Sequence, residues 1–399
     1  MVATGLEVLC AERVSSFRGR RVGVLCHPAS VAADLTHTVD RLIEAGIHPV
    51  RLFGPEHGVR GEAQDMIGVD DERDPRTGIP VASLYGNHFE SLTPRAEDLA
   101  TLDVLLVDLQ DVGSRYYTYV WTMALAMEAA AKAGVEVAVL DRPNPIGGRE
   151  IEGGPLLPGH ESFVGLGPVA VRHGMTVGEI ATMIRAGMPW AAGRFARPMD
   201  LDLSVIAMRG WRRADAFDAT GLPWVMPSPN MPTLETAFVY PGLCLVEGTN
   251  LSEGRGTTRP FEIIGAPFLD GHRWAEALRA DALPGVQFRP LTFRPMFHKF
   301  AGQSCGGVQL HVTDRVAFRP YRTGVALLRT ARALAPDHFR WRTEPYEFVV
   351  HPPAIDLLTG SDKVRRAIDE GRPTREIVAG WAGFEDQFAA ARGPFLLYE

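Results

Sequence analysis

The sequence predicts an α/β fold: a parallel sheet flanked by helices on both faces, followed by a smaller mixed α/β unit. Three observations predict it. The first half alternates short apolar runs of strand length with segments of helical spacing. The chain has 399 residues, 46% of them hydrophobic, enough for two cores. The texture changes near Trp224, where the proline-rich VMPSPNMPT begins. The boundary is expected near Ser228, giving units 1–228 and 229–399.

Arg21 to Leu25 (RVGVL) is a short apolar run rich in valine and reads as a buried strand. Thr36 to Gly46 carries apolar residues at helical spacing and ends in glycine, a C-cap signal. HPVRLF (48–53) and VASLYG (81–86) are the next strands. DVLLVDL (103–109) is continuously apolar, as a strand covered on both faces should be. Residues 117–134, rich in Ala and Met and closed by Gly134, form the strongest helix signal. VEVAVLD (135–141) is a further strand, and GEIATMIRAG (178–187) a helix. In the second unit CGGVQLHVTD (305–314) alternates like a strand, and helices are expected at 321–334 and 363–370.

Composition narrows the function. The net charge of -7 and pI near 6.0 oppose a nucleic-acid partner, which needs a basic footprint. No stretch approaches the roughly 20 apolar residues of a membrane span. MVATGLEVLC lacks the basic and apolar regions of a signal peptide. A cytoplasmic protein is expected, or a secreted one if a leader has been removed. Cys10, Cys26, Cys244 and Cys305 are scattered without zinc spacing and read as buried thiols, so no metal is expected. The first strand runs into CHPAS rather than GxGxxG, and GxxxxGK[ST], HExxH and GxSxG are lacking too. No cofactor is expected.

Parallel sheets place ligands beyond the carboxyl ends of their strands. Four strand ends here carry polar groups: His27; Glu56; Asp108 and Asp111; and Asp141, followed by Arg142 and Asn144. One such residue is commonly a cap or loop anchor; several together suggest a site. Glu56 lies in FGPEHGVRGE, where glycines at 54, 58 and 61 permit close backbone approach. Arg115, Tyr116 and Tyr119 open the long helix. Aromatic faces suit sugars, and a guanidinium fork suits a carboxylate. EGTNLSEGRGTTRPFE (247–262) adds Glu247, Asn250, Glu253, Arg255, Thr257 and Arg259, and His298 and Lys299 follow.

Taken together, GPEHGVRGEAQ, LVDLQDVGSRYYTY, VLDRPNPIGG, PSPNMPT, EGTNLSEGRGTTRPFE and CGGVQLHVTD closely resemble the exo-β-N-acetylmuramidase NamZ family. The resemblance runs from near the N-terminus to the C-terminal tail. It implies a Rossmann-like N-terminal domain, a cleft between two domains, and removal of terminal β-linked N-acetylmuramic acid from peptidoglycan fragments without metal or nucleotide. It implies Glu56 as the catalytic carboxylate. Expected substrate contacts are His57 and Arg60 from the same stretch, then Asp108, Gln110, Asp111, Arg115 and Tyr116. Asp141, Asn144, Asn230, Asn250, Glu253, Arg255 and Thr257 complete the set. The second catalytic group is open among Asp111, Glu253 and the substrate's own acetamido oxygen. Arg115 or Arg255 could pair with the sugar's lactyl carboxylate. After RGEAQ the chain reads DMIGVDD, where many family members carry an acid near Ile67; Asp65 or Asp70 would then substitute, or the substrate would differ. Rival readings are a hydrolase of another acidic aminosugar glycoside and a non-catalytic cell-wall sugar binder.

Overall fold

The computed structural model describes residues 1–59, 72–188, 190 and 193–399. Arg60 and the DMIGVDD stretch fall outside the described residues. The N-terminal sheet contains β1 (Val22–Cys26), β2 (Pro49–Gly54), β3 (Glu72–Arg73), β4 (Pro80–Ser83), β5 (Val104–Asp108), β6 (Glu136–Leu140) and β7 (Leu203–Ile206). Its spatial order is β3-β4-β2-β1-β5-β6-β7. Every pairing is parallel except that of the two-residue β3 with β4. The six parallel strands therefore follow the doubly wound order, with its switch point between β1 and β5.

Successive strand residues face opposite cores, as the pleat requires. Val24, Leu52, Leu106 and Ala138 point into one apolar cluster; Leu25, Phe53, Val107 and Val139 point into the other. Burial on both faces explains the continuous apolar runs. Helix α1 (Thr38–Glu44) begins at His37, whose ring accepts from the Val39 amide. Helix α2 (Tyr119–Ala133) is buried around most of its circumference, which explains its Ala and Met content and weak amphipathicity. It stops at Gly134, whose φ of 67° is costly for a side chain. Helix α3 (Val177–Ala186) starts with a capping box between Thr176 and Glu179.

The C-terminal part contains β8 (Ile263–Ala266), β9 (Val286–Phe293) and β10 (Cys305–Val312), paired antiparallel in the order β8-β10-β9. Helices α4 (Leu234–Leu243) and α5 (Gly271–Ala280) pack on this sheet, and α6 (Pro320–Leu334) packs on both helices. Helix α4 is buried along almost its whole length although Pro241 lies inside it. Among the described residues no helix is long and apolar enough to cross a membrane.

Helices α4 and α6 cross at glycines. A Cβ on Gly242 would lie 1.8 Å from the Pro320 carbonyl oxygen, and one on Gly324 would lie 2.1 Å from that of Gly242. Both obstacles are backbone and cannot rotate away. Gly324→Ala gains about 1 kcal/mol in helix propensity but loses about 3 kcal/mol or more through overpacking. Thermal denaturation should show a lower Tm for the variant; an unchanged or higher Tm would mean the helices separate at little cost.

Candidate functional site

Strand β2 ends at Gly54, and the chain turns at once through Pro55, Glu56, His57 and Gly58. The Gly58 amide donates to the Pro55 carbonyl at 2.9 Å. His57 has φ 74° and Gly58 φ 77°, so two successive residues are left-handed. For histidine this conformation costs about 1 kcal/mol or more, and such strain is concentrated at functional sites. It brings Glu56 over the start of α2. There the Thr118 hydroxyl donates to its Oε2 at 3.2 Å. Both Glu56 and His57 are largely buried.

Glu56 faces a cleft whose wall is aromatic. Tyr119 meets Tyr117 edge to face at 4.9 Å, Tyr117 meets Tyr240 at 5.7 Å, and Tyr240 meets Phe261 at 4.9 Å. The row passes from α2 to α4 and then to the loop before β8. Burial raises the pKa of Tyr117, Tyr119 and Tyr240, so these phenols stay neutral. Asn230 and Met231 close the cleft from the proline-rich segment before α4. The enclosed part is about 50 Å³, room for a water or two. Counted together with the open solvent at its mouth, the cleft comes to about 510 Å³.

The opposite wall is charged. Arg255 lies over the Phe261 ring, 5.2 Å from its centroid, and donates to Glu247 at 2.7 Å. The Tyr346 hydroxyl donates to the other Glu247 oxygen at 2.6 Å. Glu347 follows with φ 47° and lines the same cleft. Behind Arg255 stands Glu253, fully buried. Its carboxylate contacts Lys299 at 2.9 Å, His298 at 3.0 Å and Arg255 at 3.3 Å. Burial alone would raise its pKa. The adjacent Lys299, His298 and Arg255 outweigh that and hold it well below the usual carboxylate range. Lys299 also donates to the Val246 and Leu251 carbonyls, so its three protons are taken up. Gly254 makes the bend possible: its φ is 82°, and a Cβ would lie 2.4 Å from the Ile263 carbonyl.

Of the residues expected from sequence, the fold brings Glu56, His57, Tyr116, Asn230 and Arg255 to the cleft lining. The others have partners elsewhere. Asp108 forms a fully buried bidentate pair with Arg142, including a 2.9 Å bond to its Nη2, and accepts from Thr38. Gln110 donates to the Asp111 and Pro143 carbonyls. Asp111 accepts from the Gly113 amide and lies 3.2 Å from His173. The Arg115 guanidinium, expected as a possible carboxylate ligand, is buried against the Gly154, Val169 and Leu358 carbonyls. Three oriented carbonyls occupy three of its Nη donors. Asp141 accepts from Thr176, the Gly178 amide and Tyr398, and burial pushes its pKa up to about 6. Asn144 donates to the Met175 carbonyl, and Asn250 is tied to the backbone at 338 and 340. Thr257 donates to the Gly254 carbonyl. Ser228, Tyr346 and Glu347 line the cleft without having been singled out; Tyr346 and Glu347 lie beyond a helix in PYEF, where no strand-end rule reaches. Among the described residues no cluster of three or more His, Cys, Asp or Glu could hold a metal ion.

Comparison with known proteins bears on this cleft. The N-terminal profile described as Exo-beta-N-acetylmuramidase NamZ matches residues 22–235, and its C-terminal counterpart matches residues 238–398. The peptidoglycan beta-N-acetylmuramidase NamZ of Bacillus subtilis (strain 168) is 44% identical over 398 residues, covering 100% of this chain and 91% of that protein. Two crystal structures of DUF1343 family proteins from Bacteroides fragilis NCTC 9343 share the fold. One has a TM-score of 0.87 at 34% identity, the other 0.78 at 29%; each alignment covers 100% of this chain and 99% of the other.

The Glu253 cluster yields a stability test. Glu253→Gln leaves Lys299 without its counter-charge while Arg255 keeps Glu247, at a cost of about 3 kcal/mol. The wild-type carboxylate has a lowered pKa, so its contribution is in place above the ordinary glutamate value of 4.5 and is lost as pH falls below it. Urea unfolding should show a large gap between wild type and variant at pH 7 that narrows in acid. A gap independent of pH would show that the charge is not what stabilises this loop.

Proposed function

This chain belongs to the exo-β-N-acetylmuramidase NamZ family, and we propose on that premise that it is an exo-acting glycoside hydrolase. It releases terminal β-linked N-acetylmuramic acid from peptidoglycan fragments or sugars derived from them. The observation that carries this reading is Glu56: a largely buried carboxyl in a strained turn at the mouth of an aromatic cleft, in the sequence PEHG. Breaking a glycosidic bond requires a proton for the leaving oxygen and stabilisation of the anomeric carbon. Glu56 is the proton donor and, after departure of the leaving group, the base that activates water. Thr118, donating to Oε2, orients the carboxyl at the edge of the cleft.

The second group is the substrate's own acetamido oxygen. Two alternatives, Asp111 and Glu253, are each committed to other partners: Asp111 to Gly113 and His173, Glu253 to its three cations. Neither lines the cleft. The row of tyrosines receives the apolar face of the sugar ring. Arg255 is the one arginine or lysine among the described lining residues, which makes it our assignment as the partner of the lactyl carboxylate.

Glu56→Gln keeps the size and the Thr118 contact but removes the transferable proton. It should lower kcat on a chromogenic N-acetylmuramide by about 10²- to 10⁴-fold, with a Tm close to wild type. Near-normal turnover by a folded variant would remove Glu56 from the chemistry.

A further inference from the structure

A second cavity, of about 670 Å³, lies on the C-terminal part and includes His298, Lys299, Arg340, Trp341 and Arg342 in its lining. It shares two stretches of chain with the cleft. In the first, Glu247 and Arg255 line the cleft whereas Thr249 and Asn250 line the groove. In the second, residues 340–344 line the groove and Tyr346 and Glu347 line the cleft. The two stretches are pinned together. The Asn250 amide donates to the Arg340 carbonyl at 3.0 Å, the Arg340 amide to Asn250 Oδ1 at 2.9 Å, and the Arg342 amide to the Gly248 carbonyl at 2.9 Å. The Arg342 guanidinium lies 5.0 Å from the centroid of Tyr346, the same ring whose hydroxyl holds Glu247 in the cleft. Groove and cleft are therefore adjoining compartments with one common wall.

The groove is cationic in a chain whose net charge is -7. Lys299 is neutralised by Glu253, which leaves Arg340 and Arg342 against the single lining carboxylate, Glu344. Arg340 is exposed, and its Nη atoms donate only to the Phe339 and Asp337 carbonyls, so donors remain on each nitrogen. Trp341 and Phe300, both half-buried, supply apolar faces beside these donors. A groove with spare guanidinium donors, aromatic faces and a wall shared with the cleft fits an anionic, carboxylate-bearing chain.

We propose that this groove is a second subsite, which binds a carboxylate-bearing stretch of the substrate beyond the bond that is cut. The inference rests on the glycosidase reading above and specifies its substrate: an extended acidic fragment is preferred over a single capped sugar. The carboxylate can come from a further acidic sugar or from a peptide attached to it.

The test compares wild type with Arg340→Glu and Arg340→Ala on three substrates: a chromogenic N-acetylmuramide, a peptide-free glycan tetrasaccharide ending in N-acetylmuramic acid, and the same glycan carrying peptides. The glutamate variant should raise KM for an extended substrate about tenfold, the alanine variant less, with kcat and the chromogenic reaction unchanged. A rise on both glycans assigns the carboxylate to the sugar, and a rise only with peptides assigns it to the peptide; either supports the subsite. Equal changes on all three substrates, or no change on any, would overturn it. Wild type that fails to cleave the chromogenic muramide would instead defeat the glycosidase reading itself.

Discussion

The cleft depends on one carbonyl oxygen, that of Pro227. It accepts from the Tyr119 hydroxyl at 2.7 Å and faces His27 Nδ1 at 3.3 Å. The tautomer of His27 follows from its other side. The Gln110 amide donates to Nε2 at 2.9 Å, so the ring proton must sit on Nδ1 and point at Pro227. Burial, and then the nearby Arg142, lowers the ring's pKa and keeps it neutral, which preserves this arrangement. A phenol has one proton. With that proton on Pro227, the Tyr119 hydroxyl's 3.4 Å approach to the Glu56 carbonyl is a weak second contact. The group that fixes the 225–231 connection thus also touches the loop bearing Glu56.

That anchor explains why a sheet with a dinucleotide-binding strand order places its site elsewhere. The switch point between β1 and β5 is filled by the protein itself. Ser30 donates to the Asp108 carbonyl, Gln110 bonds His27, and Arg142 grips Asp108. Leaving Asp108 buried without Arg142 would cost about 3 to 5 kcal/mol, so the pair cannot separate to admit a ligand cheaply. The open space lies one strand over, beyond β2, where α2, α4 and the 247–261 loop converge.

The strands and helices of the first half were legible because burial on both faces makes them continuously apolar. The expected segments 48–53, 103–109 and 135–141 contain β2, β5 and β6 within a residue or two. Helix α4 was hidden by Pro241 and by its place directly after a proline-rich connection. Strand β9 carries Pro290 and alternates weakly. In the candidate site, the strand-end rule picks out one edge of the sheet but not the direction of each side chain. Glu56, His57, Tyr116, Asn230 and Arg255 converge, whereas Asp108, Asp111 and Asp141 lie at equivalent strand ends and turn inward to Arg142, His173 and Tyr398. A sequence records the position of a carboxylate along a strand; whether an arginine from the next strand reaches it depends on tertiary packing. Arg115 shows the same limit, since its three carbonyl partners come from residues 154, 169 and 358.

The carboxylates of the cleft are divided between its two sides. Glu56 is carried by the parallel sheet, while Glu247 and Glu347 are carried by chain that packs with the C-terminal helices. In glycosidases the spacing of two such groups separates direct attack, near 5 Å, from activation of water, at about 6.5 to 9.5 Å. Neither domain fixes that spacing by its own packing. Between these glutamates in the chain lie the connection at 225–231, which Tyr119 and His27 hold through Pro227, and the crossing of α4 with α6 at Gly242 and Gly324. With the substrate's acetamido oxygen as the second group, Glu247 and Glu347 shape the wall opposite Glu56, where Glu247 holds Arg255 and Tyr346, rather than attack the anomeric carbon.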